Sequence, residues 1–124
     1  MNILFIDDEA GIREQAKIFL EKMDKRFNVD TASDYESALE KLRGDGYDII
    51  VADYILPESD GLDILKQLRN EGRNIPFILL TGRDSDNIFD RAESLGADEC
   101  FTKDSNPVKQ YEVLSRTIVD ILNE

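Results

Sequence analysis

A chain of 124 residues is one domain's worth, long enough to bury a substantial core, and its 41% hydrophobic content is ordinary for a folded unit. The formal net charge of -12 argues against nucleic-acid phosphates and anionic membranes as direct partners, and no apolar run approaches the roughly 18 residues needed to cross a bilayer. No histidine is present, which excludes a Ser-His-Asp triad, a histidine metal site and a phosphohistidine on this chain; the lone Cys100 has no internal disulfide partner.

In chain order, Ile3-Leu4-Phe5-Ile6 reads as a buried strand that ends on Asp7-Asp8-Glu9. Ile12, Ala16, Phe19, Leu20 and Met23 then recur at helical spacing. Phe27 to Ala32 sets Val29 and Thr31 against Asn28, Asp30 and Ala32, as an edge strand with one wetter face would. Ser33 and Glu36 have the spacing of a capping box, and Ala38, Leu39 and Leu42 form the stripe of a second helix closed by Gly44 and Gly46.

The run Asp48-Ile49-Ile50-Val51-Ala52-Asp53 has no alternation, which suits a strand covered on both faces. It stops on a carboxylate. Pro57, Asp60 and Gly61 supply turn chemistry, and a third helix with Leu62, Leu65 and Leu68 runs from about Asp60 to Glu71, ended by Gly72. Pro76 to Leu80 is a fourth strand ending on Thr81-Gly82-Arg83-Asp84-Ser85; a fourth helix carries Ile88, Phe89, Ala92 and Leu95. Glu99 to Thr102 is a short fifth strand ending on Lys103, and Asn106-Pro107 opens a last helix with Tyr111, Leu114, Ile118, Ile121 and Leu122.

Strands that alternate with helices imply an α/β fold: a five-stranded parallel sheet, helices on both faces, one domain over residues 1–124. The polar second strand favours the flavodoxin-like order 2-1-3-4-5, which makes the first and third strands neighbours at the switch point where ligands bind. Asp7, Asp8, Asp53, Thr81 and Lys103 would all stand at that edge. An Asp after a strand is usually a helix cap or turn residue, but here carboxylates, a hydroxyl and an ammonium form a chemically complete set. Close carboxylate pairs repel by about 4 kcal/mol at 4 Å and an effective dielectric of 20, so a cation is expected among them. Oxygen-only ligands suit Mg²⁺, which commonly completes its shell with water and a phosphate oxygen. A carboxylate can attack phosphorus to form an acyl phosphate, and Asp53 is the central candidate.

In these stretches, Ile3 to Glu9, Ala52 to Pro57 with Asp60-Gly61, Leu80-Thr81-Gly82 and Phe101-Thr102-Lys103, the sequence resembles the receiver domain of two-component response regulators along its whole length. The resemblance implies that Asp53 is the phosphoacceptor and that Asp8 and the Ile55 carbonyl join it on Mg²⁺, with Asp7 acting mainly through water. It further implies that Thr81 and Lys103 bind phosphoryl oxygens, that Gly82 leaves room for the phosphate, and that Thr81 and Phe101 form a switch reshaping the face of the fourth helix, fifth strand and fifth helix. Its phosphodonor would be a histidine kinase or phosphotransfer protein and its target an output protein or domain. A homodimer through the face of the fourth and fifth helices is a further expectation, and the absence of a spanning apolar run and of a signal peptide leads to the expectation of a cytoplasmic location.

Asp104 stands where the family usually has proline in a cis bond. A cis bond before a residue other than proline costs about 2.5 to 4 kcal/mol, so a trans Lys103-Asp104 bond and an altered loop are expected. Ile55 and Arg83 occupy positions that in this family face the route of hydrolytic water, with surface packing an equal account of both. Two other classes fit parts of the pattern. A Mg²⁺-dependent aspartyl-phosphate phosphohydrolase would be expected to carry a second acid at position 55, and a phosphorylation-independent interaction module would not need the full set of acids, Thr81 and Lys103.

Overall fold

The computed structural model describes residues 1–44, 46–82 and 87–123. Among them, five strands form one parallel sheet: β1 (Asn2–Ile6), β2 (Asn28–Ala32), β3 (Ile49–Asp53), β4 (Phe77–Thr81) and β5 (Glu99–Thr102), in the order β2-β1-β3-β4-β5. The helices are α1 (Ala10–Met23), α2 (Tyr35–Leu42), α3 (Gly61–Asn70), α4 (Ile88–Ser94) and α5 (Pro107–Leu122). Every residue of β3 and β4 is buried, as unbroken apolar runs require when both faces of a sheet are covered.

Successive strand residues point to opposite faces and feed two cores. Ile3, Phe5, Val51, Ile78 and Leu80 pack with Ala16 and Leu20 of α1 and with Tyr111, Leu114 and Ile118 of α5. Leu4, Ile6, Ile50, Ala52 and Leu79 pack with α2, α3 and α4 through Ala38, Leu65, Leu68 and Ala92. Burying each of these large aliphatic side chains contributes about 1.5–3 kcal/mol.

The structure departs from the sequence reading in three local details. First, the cap of α2 lies one residue later than expected. Asp34 accepts from the Ser37 backbone N–H at 2.7 Å, and the Ser37 hydroxyl accepts from the Asp34 N–H at 3.2 Å. A carboxylate accepts more strongly than the Ser33 hydroxyl would, so the box is Asp34 with Ser37 rather than Ser33 with Glu36. Second, β2 is an edge strand, yet Ala32 is buried, because α2 covers its end of the strand. Third, Ile55–Leu56 and Ser59–Asp60 form a small antiparallel ladder between β3 and α3.

That ladder turns through Pro57 and Glu58, and Glu58 has φ 59°, where glycine or asparagine is usual after proline. A left-handed residue with a Cβ costs about 1–2 kcal/mol. Glu58→Gly is therefore expected to stabilise the chain by about 0.5 kcal/mol after the greater entropy of glycine in the unfolded state is offset. Urea denaturation with an unchanged slope checks this; a lower midpoint would show that the Glu58 side chain contributes more than its backbone costs.

Candidate functional site

β1 and β3 are hydrogen-bonded neighbours, with Ile6 in register with Ala52, so the residues that follow them emerge side by side. Asp7 and Asp53 are both buried, at 3% and 8% exposure, and Asp8 is exposed. One carboxylate oxygen from each of Asp7, Asp8 and Asp53 lies within 4.8 Å of the other two. From the end of β5, the Lys103 ammonium lies 3.0 Å from Asp53 Oδ2 and 3.9 Å from Asp7 Oδ2.

The backbone holds these ends tightly. The Lys103 N–H donates to the Thr81 carbonyl at 2.7 Å, and the Tyr54 N–H to the Leu80 carbonyl at 2.7 Å, so β3, β4 and β5 are tied together where they deliver their polar residues. Thr81 is buried at the end of β4. Gly82 is exposed, and a methyl group added there would meet nothing within 4 Å. Ile55 is the most exposed of the large apolar side chains, at 69%, two residues beyond Asp53. Phe101 is half-buried and packs against the core shared with α1 and α5. Arg83, with Asp84 and Ser85, lies outside the described residues.

Burial pushes the Asp7 carboxyl above its ordinary range. The Glu9 N–H, which donates to Asp7 Oδ1 at 2.9 Å, pulls it back; Asp53 and Asp8 raise it further, while Lys103 lowers it. Among the described residues, Asp7 is an acid buried beside two other acids with the Lys103 ammonium in contact, an arrangement compatible with a bound cation. The donors are all hard oxygens, which fits Mg²⁺ better than a softer metal.

The roles of three residues that shape this site were not legible in the sequence. Arg13 of α1 donates to the Asp7 carbonyl at 2.8 Å. Gly61, expected as a turn residue, is the first residue of α3 and packs against the backbone of Asp53. Gln110 of α5 accepts from the Asp104 N–H at 2.8 Å. The peptide bonds of the described residues are all trans, including Lys103-Asp104, as the cost of a cis bond before Asp104 led one to expect.

The chain belongs to the response regulator receiver domain family, whose pattern matches residues 3–115. It is similar to the alkaline phosphatase synthesis transcriptional regulatory protein PhoP of Bacillus subtilis, 39% identical over 107 residues that cover 85% of this chain and 43% of that protein. The chain spans about half the length of the curated relatives it matches. Among solved structures it resembles a two-component response regulator from Clostridium difficile, with TM-score 0.86 and 29% identity over 100% of this chain and 97% of that one. It also resembles the response regulator TrrA of Thermotoga maritima, solved in complex with Mg(2+)-BeF, with TM-score 0.81 and 30% identity over 98% of each chain. The chain is thus a receiver domain of two-component response regulators, a class of signalling domain. No helix among the described residues is long and apolar enough to cross a membrane.

Proposed function

We propose that Asp53 accepts a phosphoryl group from a phosphohistidine of a histidine kinase or phosphotransfer protein, and that the modified chain signals to an output protein or domain. The observation that carries this reading is the Lys103 ammonium 3.0 Å from a buried Asp53 carboxylate that shares its pocket with Asp7 and Asp8. One oxygen of Asp53 forms the new bond to phosphorus while the bond from phosphorus to the donor nitrogen breaks, and the donor imidazole leaves with its electron pair. Lys103 stays beside the acceptor and offsets charge on the phosphoryl oxygens. Thr81, at the adjacent strand end, supplies a hydroxyl to another oxygen, and Gly82 leaves the approach open.

Asp8, Asp53 and the Ile55 carbonyl would hold Mg²⁺, with Asp7 acting through water. When bound, the ion supplies charge neutralisation for the carboxylates and for the phosphoryl group. The TrrA structure, solved with Mg(2+)-BeF, supports this reading by similarity. The same carboxylate later loses the phosphoryl group to water, so the chain catalyses changes to itself and turns over no external substrate. Moving Thr81 toward the phosphoryl group leaves space that Phe101, half-buried against the core shared with α1 and α5, turns inward to fill, and this couples the site to the face of α4, β5 and α5. The receiver unit is taken to span residues 1–124, and the setting to be the cytoplasm.

Intact-mass measurement after incubation with acetyl phosphate tests the reading. One added phosphoryl group that requires Mg²⁺ and is absent from Asp53→Asn is expected. Equal labelling of the variant, or labelling that ignores Mg²⁺, would overturn it.

A further inference from the structure

The Lys103 ammonium lies 3.0 Å from Asp53, so whatever fixes its backbone matters to the site. In front, its own N–H is held by the Thr81 carbonyl at 2.7 Å. Behind it, the Asp104 N–H donates to Gln110 Oε1 at 2.8 Å, so the peptide that joins Lys103 to Asp104 is gripped from the first turns of α5. The loop is anchored again where the Asn106 N–H donates to Asp104 Oδ1 at 2.9 Å and the Lys109 N–H to Asn106 Oδ1 at 3.3 Å.

A proline at position 104 would carry no N–H and would need no such acceptor. Aspartate brings a donor to that position, and Gln110 receives it. The grip has a consequence for the ammonium, because a second carboxylate competes for it: Asp7 Oδ2 lies at 3.9 Å, only slightly farther than Asp53. A cavity of about 120 Å³ lined by Asp7, Lys103, Asp104, Gln110 and Tyr111 lies on that side, so a loosened lysine has room to swing toward Asp7.

We propose that Gln110 is a positioning residue for Lys103: by accepting the Asp104 N–H it holds the trans Lys103-Asp104 peptide so that the ammonium faces Asp53 rather than Asp7. The inference rests on the reading of Asp53 as phosphoacceptor, and its test separates the two.

The experiment compares the full chain with Gln110→Leu, which keeps the bulk and removes the acceptor, and Gln110→Glu, which keeps an acceptor oxygen. Phosphorylation by acetyl phosphate is followed over a donor series at excess Mg²⁺, to separate the saturating rate from the half-saturating donor concentration. Urea stability, Mg²⁺ affinity and hydrogen exchange of the Asp104 amide are measured on the same samples. Loss of one hydrogen bond should lower the saturating rate of Gln110→Leu by about three- to tenfold. Its Asp104 amide should exchange faster, and Gln110→Glu should restore both rate and protection. A wild-type rate in Gln110→Leu, or a Gln110→Glu variant as slow as Gln110→Leu, would overturn the inference. If the wild-type chain takes up no phosphoryl group, the functional reading fails; the positioning role is then decided by whether Asp104 protection and the Lys103 side-chain NMR shifts change together in Gln110→Leu, and unchanged shifts would overturn it.

Discussion

Gly61→Ala is expected to cost about 3 kcal/mol, at the upper end of what overpacking a core position does. A Cβ at this position would stand 2.6 Å from the Asp53 carbonyl oxygen and 2.7 Å from Leu79 Cδ1. Neither neighbour can give way easily. The carbonyl belongs to the last residue of a fully buried strand, and Leu79 is itself fully buried in the core under α3 and α4. Gly61 also donates its N–H to the Tyr54 carbonyl at 2.8 Å, so a shift of α3 to relieve the clash would break the tie between helix and strand end. For a domain with a typical total stability of about 5–15 kcal/mol the loss should be plain in urea denaturation. Because the added methyl presses on the backbone of Asp53, the variant should also be phosphorylated more slowly under conditions where it is still folded. A loss below about 0.5 kcal/mol, the range of an inert surface change, would mean that α3 and β3 are less tightly seated than their geometry indicates.

Asp7→Asn should act in the opposite direction. Burial raises the Asp7 carboxyl above its ordinary value of 3.8, and Asp53 and Asp8 add to the effect. The folded chain therefore keeps a proton on Asp7 over a pH range in which the unfolded chain has already lost it. Stability falls as pH rises through that range, from the ordinary carboxylate value up to the raised native one, and the whole cost is present at neutral pH. Asparagine removes the charge and keeps an oxygen for the Glu9 N–H, so in metal-free buffer at pH 7 the variant should gain about 1–2 kcal/mol, the scale of relieving one buried unfavourable charge. The gain should shrink as pH is lowered and vanish below 3.8, where Asp7 is neutral in both states. Mg²⁺ should stabilise the wild-type chain by binding only the folded state, and stabilise the variant less. Denaturation at a series of pH values, with and without Mg²⁺, reads all of this; a variant less stable than wild type at pH 7 without metal would contradict it.

The residues at the strand ends were legible because the signal is local. β1, β3 and β4 are short apolar runs that stop abruptly on Asp7, Asp53 and Thr81, and a buried parallel strand followed by a polar residue has few other readings. Their convergence followed from strand order alone. What escaped is set by contacts between distant segments or by choices of a single residue. The sequence shows a glycine at 61 but not the Asp53 carbonyl 2.6 Å from where its Cβ would be. It shows aspartate at 104 in place of proline, which signals a spare N–H, but not that Gln110, a turn into α5, receives it. Ser33 and Asp34 both satisfy the pattern of a helix cap, and only the 2.7 Å bond from the Ser37 N–H decides for Asp34. The left-handed Glu58 has no local signal, since a residue after proline in a turn is expected to be glycine when its φ is positive.

Asp53, and not Asp7 or Asp8, is proposed to carry the phosphoryl group. Borohydride reduction of the chain after incubation with acetyl phosphate and Mg²⁺ converts an aspartyl phosphate to homoserine, and peptide mass mapping then locates it. Homoserine confined to position 53 is the expected result. Homoserine at position 7 or 8, or none at any aspartate in a chain shown to bind Mg²⁺, would contradict the account.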